Sequence, residues 1–280
     1  MKTIKFLVPT DFSVCSENAT LYAAALAKAT GAELHFLHVV IPFVDDNTFL
    51  TVDVTSLQEE VKQQMEKQVA EVVSKYGISC TGTVQIGEVR EEIVRQAVAG
   101  NIDFILMGTC VAQGLEKLFG HTIVSVIENS SCPVIAIPEN ASFLPWQTIV
   151  YATDYENSDI HALNELTRLA GFFGSKIEVV HVVQQTETSG TELSVIDYFS
   201  DLVKKSIRYT AINYQVLRAG DVEKGIEKFS RTAEANLVAI ATRKRTLLGR
   251  LFSKSLAVGL ATHSRIPTLI FHVKESDQTE

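Results

Sequence analysis

FILMGTCVAQGLEKLFGHTIVSVIENSSCPVIAIP, residues 104 to 138, decides how the chain is read. An apolar run, Phe104 to Met107, stops at Gly108-Thr109. A small-residue loop leads to Gly120, and a patterned segment then ends in a second apolar run, Val134 to Ile137. This is strand, glycine-bearing loop, helix, strand. A strand of a parallel sheet reads as an unbroken hydrophobic run because helices cover both its faces, and such sheets bind ligands beyond the carboxyl ends of their strands. The loop after Met107 is therefore the place to look for a site. Backbone N–H groups of a glycine turn and of the following helix N-terminus suit a phosphate group.

Working outward, the stretch has a partner within the chain. Val8-Pro9-Thr10-Asp11 is echoed by Tyr151-Ala152-Thr153-Asp154, with Asp11 and Asp154 separated by 143 positions (154 − 11). Leu37-His38-Val39 is echoed by Val180-His181-Val182 at the same separation. Further on, Gly87 matches Gly220, and Leu106-Met107-Gly108-Thr109 matches Ala239-Ile240-Ala241-Thr242, both at 133. The first copy thus carries about ten extra residues near Pro42 to Gln64, as a surface excursion does. A period of this length marks duplication of a whole α/β unit.

Periodicity places the elements of each copy. In copy one the expected order is strand Ile4 to Val8, helix Ser13 to Lys28, strand Leu34 to Val40, helix Ser56 to Tyr76, strand Ser79 to Gln85, helix Val89 to Ala99, strand Phe104 to Met107, helix Thr122 to Asn129 and strand Val134 to Ile137. Leu21, Ala24, Ala25 and Ala29 are assigned to the inner side of the first helix. Val61, Met65, Val69, Val72 and Tyr76 are assigned to the inner side of the second. Copy two repeats the order with strands at Ile149 to Ala152, Lys176 to Val183, Asn213 to Leu217, Leu237 to Ala241 and Thr268 to Val273. Its helices are expected at Ser158 to Phe173, Leu193 to Thr210, Val222 to Ala233 and Ser255 to Ser264. Strict alternation of strand and helix calls for right-handed crossovers and a parallel sheet. Domains are expected at 1–139 and 146–274, with the short polar segment Glu139 to Pro145 between them.

Bulk properties narrow the classes. The chain has 280 residues, 46% hydrophobic and 21% charged, with a net charge of −8 and no basic block at either end. Nothing in this balance supports binding to nucleic-acid backbone. No apolar run reaches the ~20 residues that cross a bilayer, and a cytoplasmic protein without a membrane partner is expected. Cys15, Cys80, Cys110 and Cys132 lack the short paired spacing of a zinc site or redox pair, so reduced, partly buried thiols are expected. His38 and His181, flanked by apolar residues, read as satisfied core histidines. Asp11 and Asp154, followed by Ser13 and Ser158, read equally as helix caps. Arg243, Lys244 and Arg245 form the one local basic cluster, read as a solvated loop. No nucleophile elbow, carboxylate pair or metal-spaced cluster is legible, so an enzyme is not expected.

Taken together, the motifs resemble the universal stress protein family in tandem two-domain form. Val8-Pro9-Thr10-Asp11-Phe12-Ser13, Leu37-His38-Val39, Gly87, Met107-Gly108-Thr109 and Pro133-Val134 carry the likeness in order, and the copy repeats it. The resemblance implies two doubly wound five-stranded parallel-sheet domains, strand order 3-2-1-4-5, forming an internal pseudo-dimer, with a homodimer also open. It implies a stress-response role with an unknown protein partner. Members that bind ATP carry a loop Gly-x2-Gly-x9-Gly-Ser/Thr. In copy one Gly108 fills the first place, Val111 stands at the second, and Gly120, His121 and Thr122 approximate the end. By the same resemblance Asp11, with Thr10, approaches the adenosine and Val40 lies beside the adenine. The implied ligand set for ATP or another adenine nucleotide is Thr10, Asp11, Val40, Gly108, Thr109, Val111, Gly120, His121 and Thr122. Copy two has Ala241, Lys244 and Lys254 in place of the three glycines and keeps Ser255 and Asp154. Two functions stay open: a nucleotide-binding regulatory module, and a non-nucleotide-binding interaction or scaffold protein. A nucleotide-handling enzyme such as an adenylating one ranks last.

Overall fold

The computed structural model describes residues 3–42, 54–110, 117–184, 192–243 and 254–273. The chain divides into two units, Met1–Phe143 and Leu144–Glu280. In the first, β1 (Lys5–Pro9), α1 (Val14–Thr30), β2 (Glu33–Val40), α2 (Val54–Tyr76), β3 (Cys80–Ile86), α3 (Val89–Ala99), β4 (Phe104–Thr109), α4 (Lys117–Asn129) and β5 (Val134–Pro138) follow one another. The second holds β6 (Thr148–Ala152), α5 (Asn157–Phe173), β7 (Lys176–Gln184), α6 (Glu192–Ser206), β8 (Ile212–Ala219), α7 (Val222–Thr232), β9 (Leu237–Arg243), α8 (Lys254–His263) and β10 (Thr268–Val273).

Strand order in the first unit is β3-β2-β1-β4-β5, every pairing parallel, as the sequence led us to expect. The second unit repeats it as β8-β7-β6-β9-β10. Successive residues of a strand point to opposite faces. Phe6, Leu7 and Val8 of β1 are all fully buried, so both faces of this strand are covered. Each such side chain contributes about 1.5–3 kcal/mol relative to exposure.

Several local readings need correction. The buried face of α1 is built from Ala19, Tyr22, Ala23, Leu26 and Ala27 together with the expected Ala24, while Leu21 is 40% exposed and Ala29 also faces out. Small residues win that face because α1 lies close against β4 and β5, where a larger side chain would hold the helix off. The inner face of α2 is as expected, with Met65 and Val72 buried and Val61, Val69 and Tyr76 half-buried. Helix α6 stops at Ser206, short of Thr210, and beyond it the Tyr209 hydroxyl donates to the Ser175 carbonyl at 2.5 Å. Helix α4 begins at Lys117, ahead of the expected Thr122, since Leu118 and Phe119 continue its apolar period backwards.

The duplication is also sharper in three dimensions. His38 pairs with Val84 and His181 with Val216, a separation of 132 (216 − 84) where the glycine motif gives 133. One residue has therefore entered between strand and glycine, and β8 ends a residue beyond its counterpart. Both first helices stop on a left-handed glycine, Gly31 with φ 70° and Gly174 with φ 65°.

Candidate functional site

In a sheet ordered β3-β2-β1-β4-β5 the chain changes winding direction between β1 and β4, and the crevice beyond that point is where doubly wound folds hold ligands. Its walls are the β1–α1 loop and the end of β4. The β1–α1 loop turns sharply. Thr10 donates its backbone N–H to the Leu37 carbonyl at 2.8 Å. Its Oγ1 accepts the Phe12 N–H at 3.1 Å and donates to Ser16 Oγ at 3.2 Å. Phe12 has φ 61°, a left-handed conformation that costs a non-glycine residue about 1–2 kcal/mol. The ring recovers part of that by stacking on His38, with centroids 4.9 Å apart. His38 in turn places Nδ1 2.9 Å from the Thr10 carbonyl. Burial lowers the His38 pKa, and the Thr10 carbonyl and the charge of Asp11 oppose that shift. Ser13 caps α1, its Oγ accepting the Ser16 N–H at 3.3 Å.

Of the expected ligand side chains among the described residues, Asp11 alone is exposed. Its Oδ1 accepts the Ser13 N–H at 3.0 Å. Thr10 and Thr109 are 6% and 7% exposed, and the Thr109 hydroxyl donates to the Ile137 carbonyl at 3.4 Å, so both serve the framework. Val40 is 4% exposed at the end of β2, where its carbonyl accepts the Gly87 N–H at 3.1 Å. Gly108 has a structural reason of its own. A Cβ there would strike the carbonyl oxygen of Cys15 and stand 2.7 Å from that carbonyl's carbon and 3.3 Å from the Ser16 nitrogen. The glycine lets the first turn of α1 lie against β4.

Gly120 and His121 fall inside α4, and Thr122 is half-buried a place further on, so this trio does not mark the helix start. Val111 and Gly114 lie outside the described residues, as do Lys244 and Arg245. The structure thus places Thr10, Asp11, Gly108 and Thr109 at the adjoining carboxyl ends of β1 and β4.

The expectation of reduced thiols is overturned for two of the four cysteines. Cys15 and Cys110 form a disulfide with Cα atoms 6.0 Å apart, across 95 residues of sequence. No short motif announces such a pair, because α1 and the end of β4 meet only through the crossover topology. Cys80 and Cys132 are free thiols, and burial pushes both up to about 12, with Asp103 adding to the effect at Cys132.

The second unit keeps the loop and changes its anchor. His181 Nδ1 lies 2.8 Å from the Thr153 carbonyl, and Tyr155, with φ 59°, packs on the His181 ring at 4.8 Å. The ring stacking was missed from the sequence, although Thr-Asp-aromatic and the distant histidine recur together. Ser158 is not the cap of α5. That position belongs to Glu156, in a capping box with Asp159. Asp159, 2% exposed, accepts from Thr153 Oγ1 at 2.8 Å and from Tyr151 Oη at 3.1 Å. Ala241 stands where Gly108 stands in the first unit and is 5% exposed, so its Cβ is accommodated.

Comparison with known proteins gives the following. The model of the universal stress protein family matches residues 3–138 and again 145–272. A universal stress protein of Methanocaldococcus jannaschii is 33% identical over 137 residues, 48% of this chain and 81% of its own. A second from the same organism is 27% identical over 161 residues, 49% of this chain and 96% of its own. The crystal structure of a universal stress protein from Archaeoglobus fulgidus superposes with a TM-score of 0.75 at 18% identity, covering 97% of this chain and 99% of that one. Among the described residues no helix is long and apolar enough to cross a membrane.

Proposed function

Since the chain belongs to the universal stress protein family and carries its module twice, we propose that it is a stress-response regulatory module whose first repeat binds an adenine nucleotide such as ATP. The observation that carries this reading is Asp11, an exposed carboxylate at the winding-reversal crevice. An acidic side chain at such a crevice suits the hydroxyls of a ribose, and the start of α1 offers N–H groups to phosphates. Val40, buried at the end of β2, backs the proposed adenine side. Thr10 and Thr109 shape the crevice from beneath. Val111, Gly120, His121 and Thr122 belong to the proposed phosphate side. The module is read as a binder and not as an enzyme.

Calorimetric titration with ATP, ADP and AMP tests it. Binding is expected in the first repeat, and Asp11→Ala is expected to weaken it while Asp154→Ala leaves it intact. A nucleotide at a hundred times its dissociation constant adds about 2.7 kcal/mol of stability. No heat and no thermal shift at millimolar ATP would sink the proposal.

A second reading, a non-nucleotide-binding interaction protein, is favoured by the internal use of both threonine hydroxyls and by the packing demand on Gly108. It predicts the null titration.

A further inference from the structure

At the rim of the crevice, Cys15, Cys110 and Glu139 bring two sulfurs and a carboxylate oxygen within 4.8 Å of one another. Each comes from a separately anchored element. Cys15 sits in the first turn of α1, where the helix N-terminus favours a thiolate. Cys110 follows directly on β4. Glu139 follows β5, whose last residue, Pro138, pairs with Thr109. The segment bearing Glu139 is tied back to α1, since Asn18 Nδ2 donates to the Pro138 carbonyl at 2.9 Å and to the Ala141 carbonyl at 3.0 Å. The Glu139 carboxylate stands 3.9 Å from Cys15 Sγ, and a disulfide sulfur has no proton to share with it. The other oxygen of that carboxylate accepts from Asn140 Nδ2 at 3.3 Å, which leaves the one facing Cys15 for a cation once the bond is reduced.

We infer that Cys15, Cys110 and Glu139 are a thiol-gated site for a soft divalent cation, with zinc the best match. Oxidised, the pair is a disulfide and the site is shut. Reduced, two thiolates and one carboxylate are a ligand set that zinc accepts, with water in the fourth place. In the disulfide the two sulfurs are bonded at about 2 Å, whereas tetrahedral zinc with sulfur ligands at ~2.3 Å sets them about 3.8 Å apart, so after reduction the thiolates swing apart by about 2 Å, which side-chain rotation on Cα atoms 6.0 Å apart allows. The opening step is thiol–disulfide exchange. A dithiol reductant attacks one sulfur as thiolate, its second thiol resolves the mixed disulfide, and it departs as its own disulfide. The protein's S–S bond breaks and takes up two electrons and two protons. Zinc then displaces both protons.

The test uses the full chain, reduced with a water-soluble phosphine, freed of metal and titrated with zinc against a chromophoric indicator. One zinc per chain and two protons released are expected, and cobalt in its place should give sulfur-to-metal charge-transfer absorption. The oxidised chain should bind none. Cys15→Ser and Cys110→Ser should each lose binding, Glu139→Gln should weaken it, and Cys80→Ser should leave it unchanged. Should either variant fold poorly, zinc must still protect Cys15 and Cys110, and not Cys80, from alkylation in the reduced parent, read by mass spectrometry. The assignment is overturned by a reduced chain that takes no zinc, by binding that survives loss of either cysteine or an intact disulfide, by alkylation that zinc does not slow, or by Glu139→Gln binding as tightly as the parent.

Discussion

Gly108 and His38 show how single residues set this site. A Cβ on Gly108 meets backbone of α1, which cannot swing aside as a long side chain would. Gly108→Ala is therefore expected to destabilise the chain by about 1–3 kcal/mol in urea denaturation, whether or not nucleotide is present. Ala241→Gly, at the matching place in the second unit, should cost only about 0.5–1 kcal/mol through backbone entropy. Equal losses would show that the close approach to Cys15 is not what Gly108 serves. His38 carries a pH prediction. Burial lowers its pKa below the ordinary 6.5, with the Thr10 carbonyl and Asp11 pulling the other way, so the unfolded chain binds the proton more readily. Burial lowers His35 in the same sense. Their contribution to stability is full above pH 6.5 and is lost as pH falls through the folded-state values. Denaturation midpoints should drop between pH 7 and 5, and His38→Gln should flatten part of that slope.

At the scale of elements, the apolar runs and the glycine stops were legible because burial on both faces leaves no polar residue inside β1 or β4, and because the duplicate supplied a second reading of each boundary. Contacts made through topology were not legible. Cys15 meets Cys110, and Tyr209 reaches Ser175, only after the strands are ordered. The start of α4 was placed at Thr122 because Gly120, His121 and Thr122 were read as the end of a phosphate loop, whereas the helix already runs through them from Lys117. The pairing of β7 with β8 carries a prediction. Glu178 of β7 is 2% exposed, accepts from Asn213 at 3.2 Å and Gln215 at 3.0 Å, and pairs with Lys176 at 2.6 Å. Burial alone would raise its pKa, but Lys176, Asn213 and Gln215 together outweigh it and hold the carboxyl below 4.5. This stability is present above pH 4.5 and disappears as pH falls through the folded-state value. Glu178→Gln should cost about 1 kcal/mol at pH 7 and progressively less as pH is taken down below 4.5, compared by denaturation across that range.

For the molecule as a whole, two repeats of one fold differ in what they offer a ligand. Hydrogen exchange should report that difference directly. Saturating ATP is expected to slow exchange in residues 8–17 and 106–110 and to leave 151–160 and 239–243 unchanged; protection confined to the second stretch pair would move the site. The resemblance between the copies was readable across most of the chain, whereas the state of the site was not, since it depends on which hydroxyls the framework has already used. The glycine of the first unit has a consequence for how such loops are interpreted. Packing against α1 demands Gly108 whether or not a ligand binds, whereas the second unit accommodates the Cβ of Ala241 at the matching place. A glycine in this position therefore reports how closely a helix leans on the strand, and its presence alone is no signature of a phosphate cradle.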